Sequence, residues 1–248
     1  MNDARIAEFR AFIAMLNEEG SVGSASARKL LELPTDRWPG ALLSHPEWLR
    51  VGTVRSLLDH SNDIAKRDPA RALAVTTFVV GHIHDVPIPP HGRILVEPLE
   101  GEAHTAHANA LLAAGDMAAA LAAVSHADAL LSLLPIAAIE RANAWLVRAR
   151  IYTESHRDDE ALDLFDECLR VYADHTTLGR YARALAARAI LLCDMQQWAE
   201  AWHTLHHAED TVASLHHDEI SAELHGVIAR CQGMGLPNEG SGISPVVR

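Results

Sequence analysis

An all-α fold of stacked helix pairs is what this 248-residue chain predicts, and three observations carry the prediction. The first is an internal repeat. Residues 102–128 (EAHTAHANALLAAGDMAAALAAVSHAD), 141–169 (RANAWLVRARIYTESHRDDEALDLFDECL) and 182–210 (ARALAARAILLCDMQQWAEAWHTLHHAED) align through Ala120, Ala161 and Ala201. Each copy opens with an Ala-rich helical pattern, breaks at a short polar turn and resumes with Ala ahead of an apolar stripe. The second observation is composition: 49% of residues are hydrophobic but only 5% aromatic, and alanine and leucine, strong helix formers, dominate. The third is the near absence of alternating β-branched runs; IPPHGRILVEP (88–98) is the one strand candidate, and its prolines weaken it. A lone helix pair of this size cannot bury its apolar face, so neighbouring pairs must share a core, which predicts an extended α-α superhelix.

The remaining elements follow in chain order. Residues 4–17 (ARIAEFRAFIAMLN) have apolar positions at helical spacing and end at the EEGSVG break. A second helix is expected from Ser24 to Leu33, opened by a Ser-rich cap and stopped by Pro34. A helical turn over Thr35–Leu43 and a helix over about His45–Lys66 come next. Asp68-Pro69 reads as N-cap and first helical position of a helix reaching about His82. Four prolines and a glycine between Pro87 and Pro98 predict an extended connector. The repeats begin at Gly101. The stretch from Gly233 (GMGLPNEGSGISPVVR), rich in Gly, Pro and Ser, is expected to be frayed.

Charge and cysteine content bound the function. A formal charge of −12 argues against general affinity for nucleic acid or anionic lipid, which need a cationic footprint. The longest apolar run, ALAVTTFVVGHI (72–83), is too short to span a bilayer, and the N-terminus lacks a signal-peptide layout. Cys168, Cys193 and Cys231 are odd in number and widely spaced, which suits a reducing cytoplasm with each thiol acting as a small core residue.

These features resemble the tetratricopeptide repeat, whose first helix carries a Trp, a small residue and a Tyr, and whose second carries an Ala and a bulky residue. The middle copy offers Trp145, Ala149 and Tyr152, then Ala161, Phe165 and Cys168. The first copy matches through Ala108, Leu111, Gly115-Asp116, Ala120, Val124 and Ala127, and the third through Leu185, Ala189, Leu192, Trp198, Ala201, Leu205 and Ala208. A weaker copy surrounds DPARALAVTTFVV, with Ala72 at the Ala position. The period of about 40 residues exceeds the family's usual 34, and the helix-ending proline is missing, Pro135 falling only near its place. The resemblance implies a right-handed superhelix, divided into an N-terminal helical cap (1–50), about four helix pairs (51–232) and a flexible tail (233–248).

The resemblance also implies a non-catalytic scaffold that binds another protein or a peptide. The first helix of each pair would line a concave groove, placing Asn109, Asn143, Arg150 and Arg183 against the partner. Asparagine pairs with peptide backbone as donor and acceptor, and arginine offers a planar fork to carboxylate or phosphate. The alternative for the arginines is solvation or pairing with Glu140, Glu154 and Asp194. A regulator of the same fold, sensing a peptide or sequestering a component of a transcription or protease system, is the second functional expectation.

Other candidate chemistry has a structural explanation. Sixteen histidines are conspicuous; His203, His206, His207 and Asp210 share one predicted helix face, opposite Ala201, Leu205, Ala208 and Val212. Such a stripe could chelate zinc, but an exposed one is expected to be solvated, and no metal or cofactor is expected. His82-x-His84-Asp85 ends a helix, where the dipole favours histidine. Asp158-Asp159-Glu160 begins one, where acids counter the dipole. FRAFIAMLNEEGSVGSASARKLL has some helix-turn-helix character, but residues 1–50 hold six Lys/Arg against seven Asp/Glu, which disfavours DNA reading. No nucleophile elbow, phosphate loop, dinucleotide fingerprint or cysteine zinc pair is present, so no catalytic residue is assigned.

Overall fold

Helix covers nearly all of the computed structural model, which describes residues 3–88, 93–215 and 218–236. Among the described residues there are twelve α-helices, several short 3₁₀ turns and no strand. The α-helices are α1 (Asp3–Leu31), α2 (Trp38–Ser44), α3 (Val51–Ile64), α4 (Pro69–His82), α5 (Arg93–Val96), α6 (Leu99–Ala113), α7 (Met117–Ser132), α8 (Ala138–Glu154), α9 (Asp158–Asp174), α10 (Leu178–Asp194), α11 (Trp198–Leu215) and α12 (Asp218–Met234). None of them is long and apolar enough to cross a membrane. The chain divides into two compact units, Met1–Ala144 and Trp145–Arg248, the division falling inside α8.

Four second helices use one register of buried positions. Ala72, Ala120, Ala161 and Ala201 are all fully buried. Four residues on, Thr76, Val124, Phe165 and Leu205 are buried, as are Val79, Ala127, Cys168 and Ala208 at the next turn. The row closes with Ile83, Leu131, Tyr172 and Val212. This i, i+4, i+7, i+11 pattern is one helical stripe, and the small residues in it let partner helices approach. In the second unit Ala149, Ala161, Phe165 and Leu191 form one cluster with Tyr152 packed on it, while Trp145 is only half-buried.

The turns repeat as well. α6 ends with Gly115 at φ 87°, α8 with His156 at 55°, α9 with Thr176 at 52° and α10 with Gln196 at 60°. In each case the following N–H donates five residues back: Asp116 to Leu111 O, Arg157 to Tyr152 O, Thr177 to Tyr172 O and Gln197 to Leu192 O, at 2.8–3.0 Å. This is the Schellman closure, which satisfies carbonyls that a helix end leaves orphaned. Gly115 adopts the left-handed conformation at no steric cost, whereas His156, Thr176 and Gln196 pay it with a Cβ. Asp68 and Asp116 each accept a bond from the third N–H of the helix they open, Arg71 and Ala119, both at 3.0 Å, as the Asp68-Pro69 reading anticipates.

The N-terminal segment departs from expectation in one informative way. The predicted break at EEGSVG and the separate helix from Ser24 are replaced by a single helix, α1, so no helix-turn-helix turn exists there. One of its two glycines, Gly23, serves contact. A Cβ on Gly23 would lie 2.5 Å from Gly52 Cα, and one on Gly52 would lie 2.7 Å from the Glu19 carbonyl carbon, so α1 and α3 meet backbone to backbone. Glu19, buried at 8% exposure, is held by the Arg50 guanidinium at the start of α3, and Gly52 N–H points at its second oxygen at 3.5 Å. The hydrogen bonds to Glu19 raise the Arg50 pKa. The carboxylate thus sits at a helix N-terminus, where the dipole favours it, and this start replaces the helix expected from His45: Pro46–Trp48 is a 3₁₀ turn and Arg50 is extended. The last carbonyl of α1 accepts from Arg71 (Leu31 O, 2.9 Å), and just past the helix the Leu33 carbonyl accepts from the buried Trp38 indole (3.2 Å).

Two other boundaries differ. Within the expected extended connector, Arg93–Val96 forms a helical turn because Leu95 and Val96 pack onto the core of the first unit; residues 89–92 lie outside the described set. At the other end α12 passes residue 232 and closes at Gly235 (φ 119°), with Leu236 N–H donating to Cys231 O at 3.0 Å and its side chain buried. That apolar anchor holds the first residues of the expected tail; 237–248 lie outside the described residues.

Two predictions follow from these contacts. Gly52→Ala forces the α1 and α3 backbones apart and should cost about 1–3 kcal/mol in chemical denaturation. Gly20→Ala, on the same helix with nothing within 4 Å, should instead gain about 0.5–1 kcal/mol; equal effects would refute the close-approach argument. His156→Gly and Gln196→Gly should each stabilise by about 0.5–1 kcal/mol by relieving left-handed strain, read as a raised urea midpoint at unchanged slope.

Candidate functional site

The four residues assigned to a partner fall on the first helices of three pairs, two in each unit. In the first unit, Asn109 on α6 is 9% exposed and its Nδ2 donates to Asn62 Oδ1 on α3 at 2.9 Å. Its amide is therefore spent joining two helices. Asn143 on α8 is half-buried. In the second unit, Arg150 is half-buried; burial lowers its pKa and the field of Glu154, one turn on, opposes that shift. Arg183 on α10 presents its fork to Glu223 on α12, Nε to Oε2 at 2.7 Å and Nη2 to Oε1 at 3.1 Å. That bidentate pair is about half exposed, 47% and 46%.

Other arginines are also matched to acids across helices. In the first unit Arg55 on α3 reaches Glu102 on α6 at 2.8 and 3.1 Å, and Arg141 reaches Asp128 at 2.7 Å. In the second, Arg188 on α10 binds Asp166 on α9 at 2.9 Å and Glu200 on α11 at 2.7 Å, with Thr204 Oγ1 at 3.1 Å. These pairs fasten helices to one another. The expected pairing of arginines with acids holds in kind; the acid facing Arg183 is Glu223, not Asp194.

The histidine stripe on α11 behaves as a surface. His203, His206 and His207 are exposed, as is Asp210. His206 leans on Trp202 (5.1 Å between rings) and toward Glu209 (3.5 Å), while His207 meets Tyr181 edge-on at 5.4 Å. Their contacts point to different neighbours, and the opposite face, Ala201, Leu205, Ala208 and Val212, is buried as expected. His82 is likewise occupied: it stacks on Phe78 and its Nδ1 lies 2.9 Å from the Phe78 carbonyl. Asp158-Asp159-Glu160 opens α9, and Glu160 pairs with Arg157. All three cysteines are buried and unbridged; burial pushes the Cys168 and Cys193 thiols up to about 12, which leaves them unreactive as nucleophiles.

A different set of histidines comes together. His104 on α6 and His126 on α7 meet edge-on, ring centroids 4.5 Å apart, with Glu100 one turn before His104. One ligand atom from each of Glu100, His104 and His126 lies within 4.8 Å of the others. His84, just past α4, brings Nε2 to 3.7 Å from Glu100 Oε1. Sequence reading passed over this group because its members come from three segments; only the i, i+4 spacing of Glu100 and His104 was visible. Nearby, the half-buried His107 ring lies 3.0 Å from Thr76 Oγ1.

Burial lowers the pKa of His107, and burial followed by His126 lowers that of His104. The unfolded chain, near the ordinary 6.5, therefore takes up protons that the native state refuses. Stability is complete above that value and falls as pH drops through the native-state pKa values. Denaturation midpoints should fall between about pH 7.5 and about pH 5, and His107→Gln should flatten part of that slope; an unchanged slope would remove His107 as a cause. No family model, no curated protein and no solved structure matches this chain.

Proposed function

We propose that this chain is a non-catalytic scaffold that binds a protein segment or peptide, its helix pairs winding into a right-handed superhelix similar to tetratricopeptide-repeat proteins. The observation that carries the reading is repetition: one register of buried positions recurs in α4, α7, α9 and α11, and repeated pairs of this kind generate extended faces that suit elongated partners. The first helices of the pairs supply the binding face, and the cytoplasm supplies the partner.

Within that reading the four assigned residues take different parts. Asn109 is engaged with Asn62 and acts by holding α6 to α3. Asn143 pairs with partner backbone. Arg150 offers its planar fork to a partner carboxylate. Arg183 exchanges Glu223 for a partner carboxylate at little cost, since half-exposed ion pairs are worth about 0–1 kcal/mol.

The test is capture of partners from cell extract, with peptide-array follow-up, by wild type and by Asn143→Ala/Arg150→Ala. The double variant should lose at least about 10-fold in affinity with an unchanged helical circular-dichroism melt. A partner held equally by both would place the binding face elsewhere, and an array with no binder would overturn the scaffold reading.

A further inference from the structure

We propose that Glu100, His104 and His126, with His84 beside them, form a binding site for a zinc-class divalent transition-metal ion in the first unit. The inference is independent of the scaffold reading and concerns a separate set of side chains.

The juxtaposition has a definite structural origin. Glu100 and His104 are four residues apart on α6, so both project from one face. α6 and α7 are joined by the tight Ala114-Gly115-Asp116 turn and run antiparallel. Their close approach is fixed at Gly101, where a Cβ would lie 2.6 Å from Leu131 Cδ2. With Gly101 opposite Leu131, antiparallel packing brings His104 within a turn of His126. The fourth group comes from the 3₁₀ turn Ile83–Asp85, where Ile83 is anchored in the core while the His84 side chain stays 78% exposed and free to swing.

The donor set selects the metal. Two or three imidazoles with one carboxylate suit zinc and its neighbours, whereas calcium and magnesium demand oxygen donors. Tetrahedral zinc with bonds of about 2.0–2.1 Å separates its ligand atoms by about 3.3–3.4 Å. The three atoms here lie within 4.8 Å of one another, so side-chain rotation closes the remaining gap without moving a helix. Glu100 and His104 are half-buried and His126 is exposed, which leaves an entry path from solvent. An imidazole pair and a carboxylate drawn from two packed helices, with a third imidazole 3.7 Å from that carboxylate, can converge on one ion. The α11 stripe cannot do so, since His206 and His207 are turned to separate neighbours. A bound ion would pin α6, α7 and the end of α4 together.

The experiment uses the full chain without an affinity tag, stripped with chelator and titrated with Zn²⁺ by calorimetry and with Co²⁺ by visible absorption. One equivalent of Zn²⁺ per chain, a tetrahedral-type Co²⁺ spectrum and a raised thermal midpoint are expected. His126→Ala, at an exposed position, and His104→Asn should each weaken the affinity at least 10-fold, about the least that losing a ligand costs. His203→Ala/His206→Ala/His207→Ala should bind as wild type. Absence of binding by wild type overturns the proposal. So does binding that survives His126→Ala and His104→Asn, or binding that the α11 triple variant abolishes.

Discussion

Close approach of helices at small residues is the constraint on which everything else in this protein depends. An alanine at positions 72, 120, 161 and 201 removes the side chain that would hold two helices apart, and the larger residues one and three turns later fill the space so created. With aromatics scarce, the core gains its density from nearness rather than from bulk. The same constraint reaches its limit where Gly23 meets Gly52, since there backbone packs on backbone. In each unit the polar connections come second: Arg55–Glu102 and Arg188 with Asp166 and Glu200 bind helices that apolar packing has already brought together.

That order of causes explains the state of the polar groups. Cross-helix arginines find acids because packed helices carry an excess of carboxylates, 33 against 21 basic residues. Arginine forks on the first helices are therefore fasteners, as at Arg183, half exposed on Glu223. At Arg150 burial opposes the charge and the field of Glu154 supports it.

The turns add a second layer. Schellman closures recur at Gly115, His156, Thr176, Gln196 and Gly235, yet glycine occupies only two of these positions. The helices on either side are bound firmly enough to impose a left-handed φ on residues that resist it. A reader of the sequence searching for glycine would find the turn after α6 and miss the strain in the next three. The converse error arises in α1, where Gly20 and Gly23 look like punctuation but lie inside one helix. A glycine's role depends on whether a neighbouring backbone lies against it, and that neighbour, Gly52, is distant in sequence.

By itself the sequence determined the all-helical class and the small and apolar residues buried along α7, α9 and α11, because these rest on local propensity and on a 3.6-residue period written along the chain. It also determined the Asp68-Pro69 helix start, which is local chemistry. Only the tertiary structure decided that α1 is continuous, that Asn109 is engaged by Asn62, that Arg183 faces Glu223, and that Glu100, His104 and His126 converge. Each of these depends on which helix faces come into contact. Contact between segments tens of residues apart is set by packing, and no local pattern encodes it.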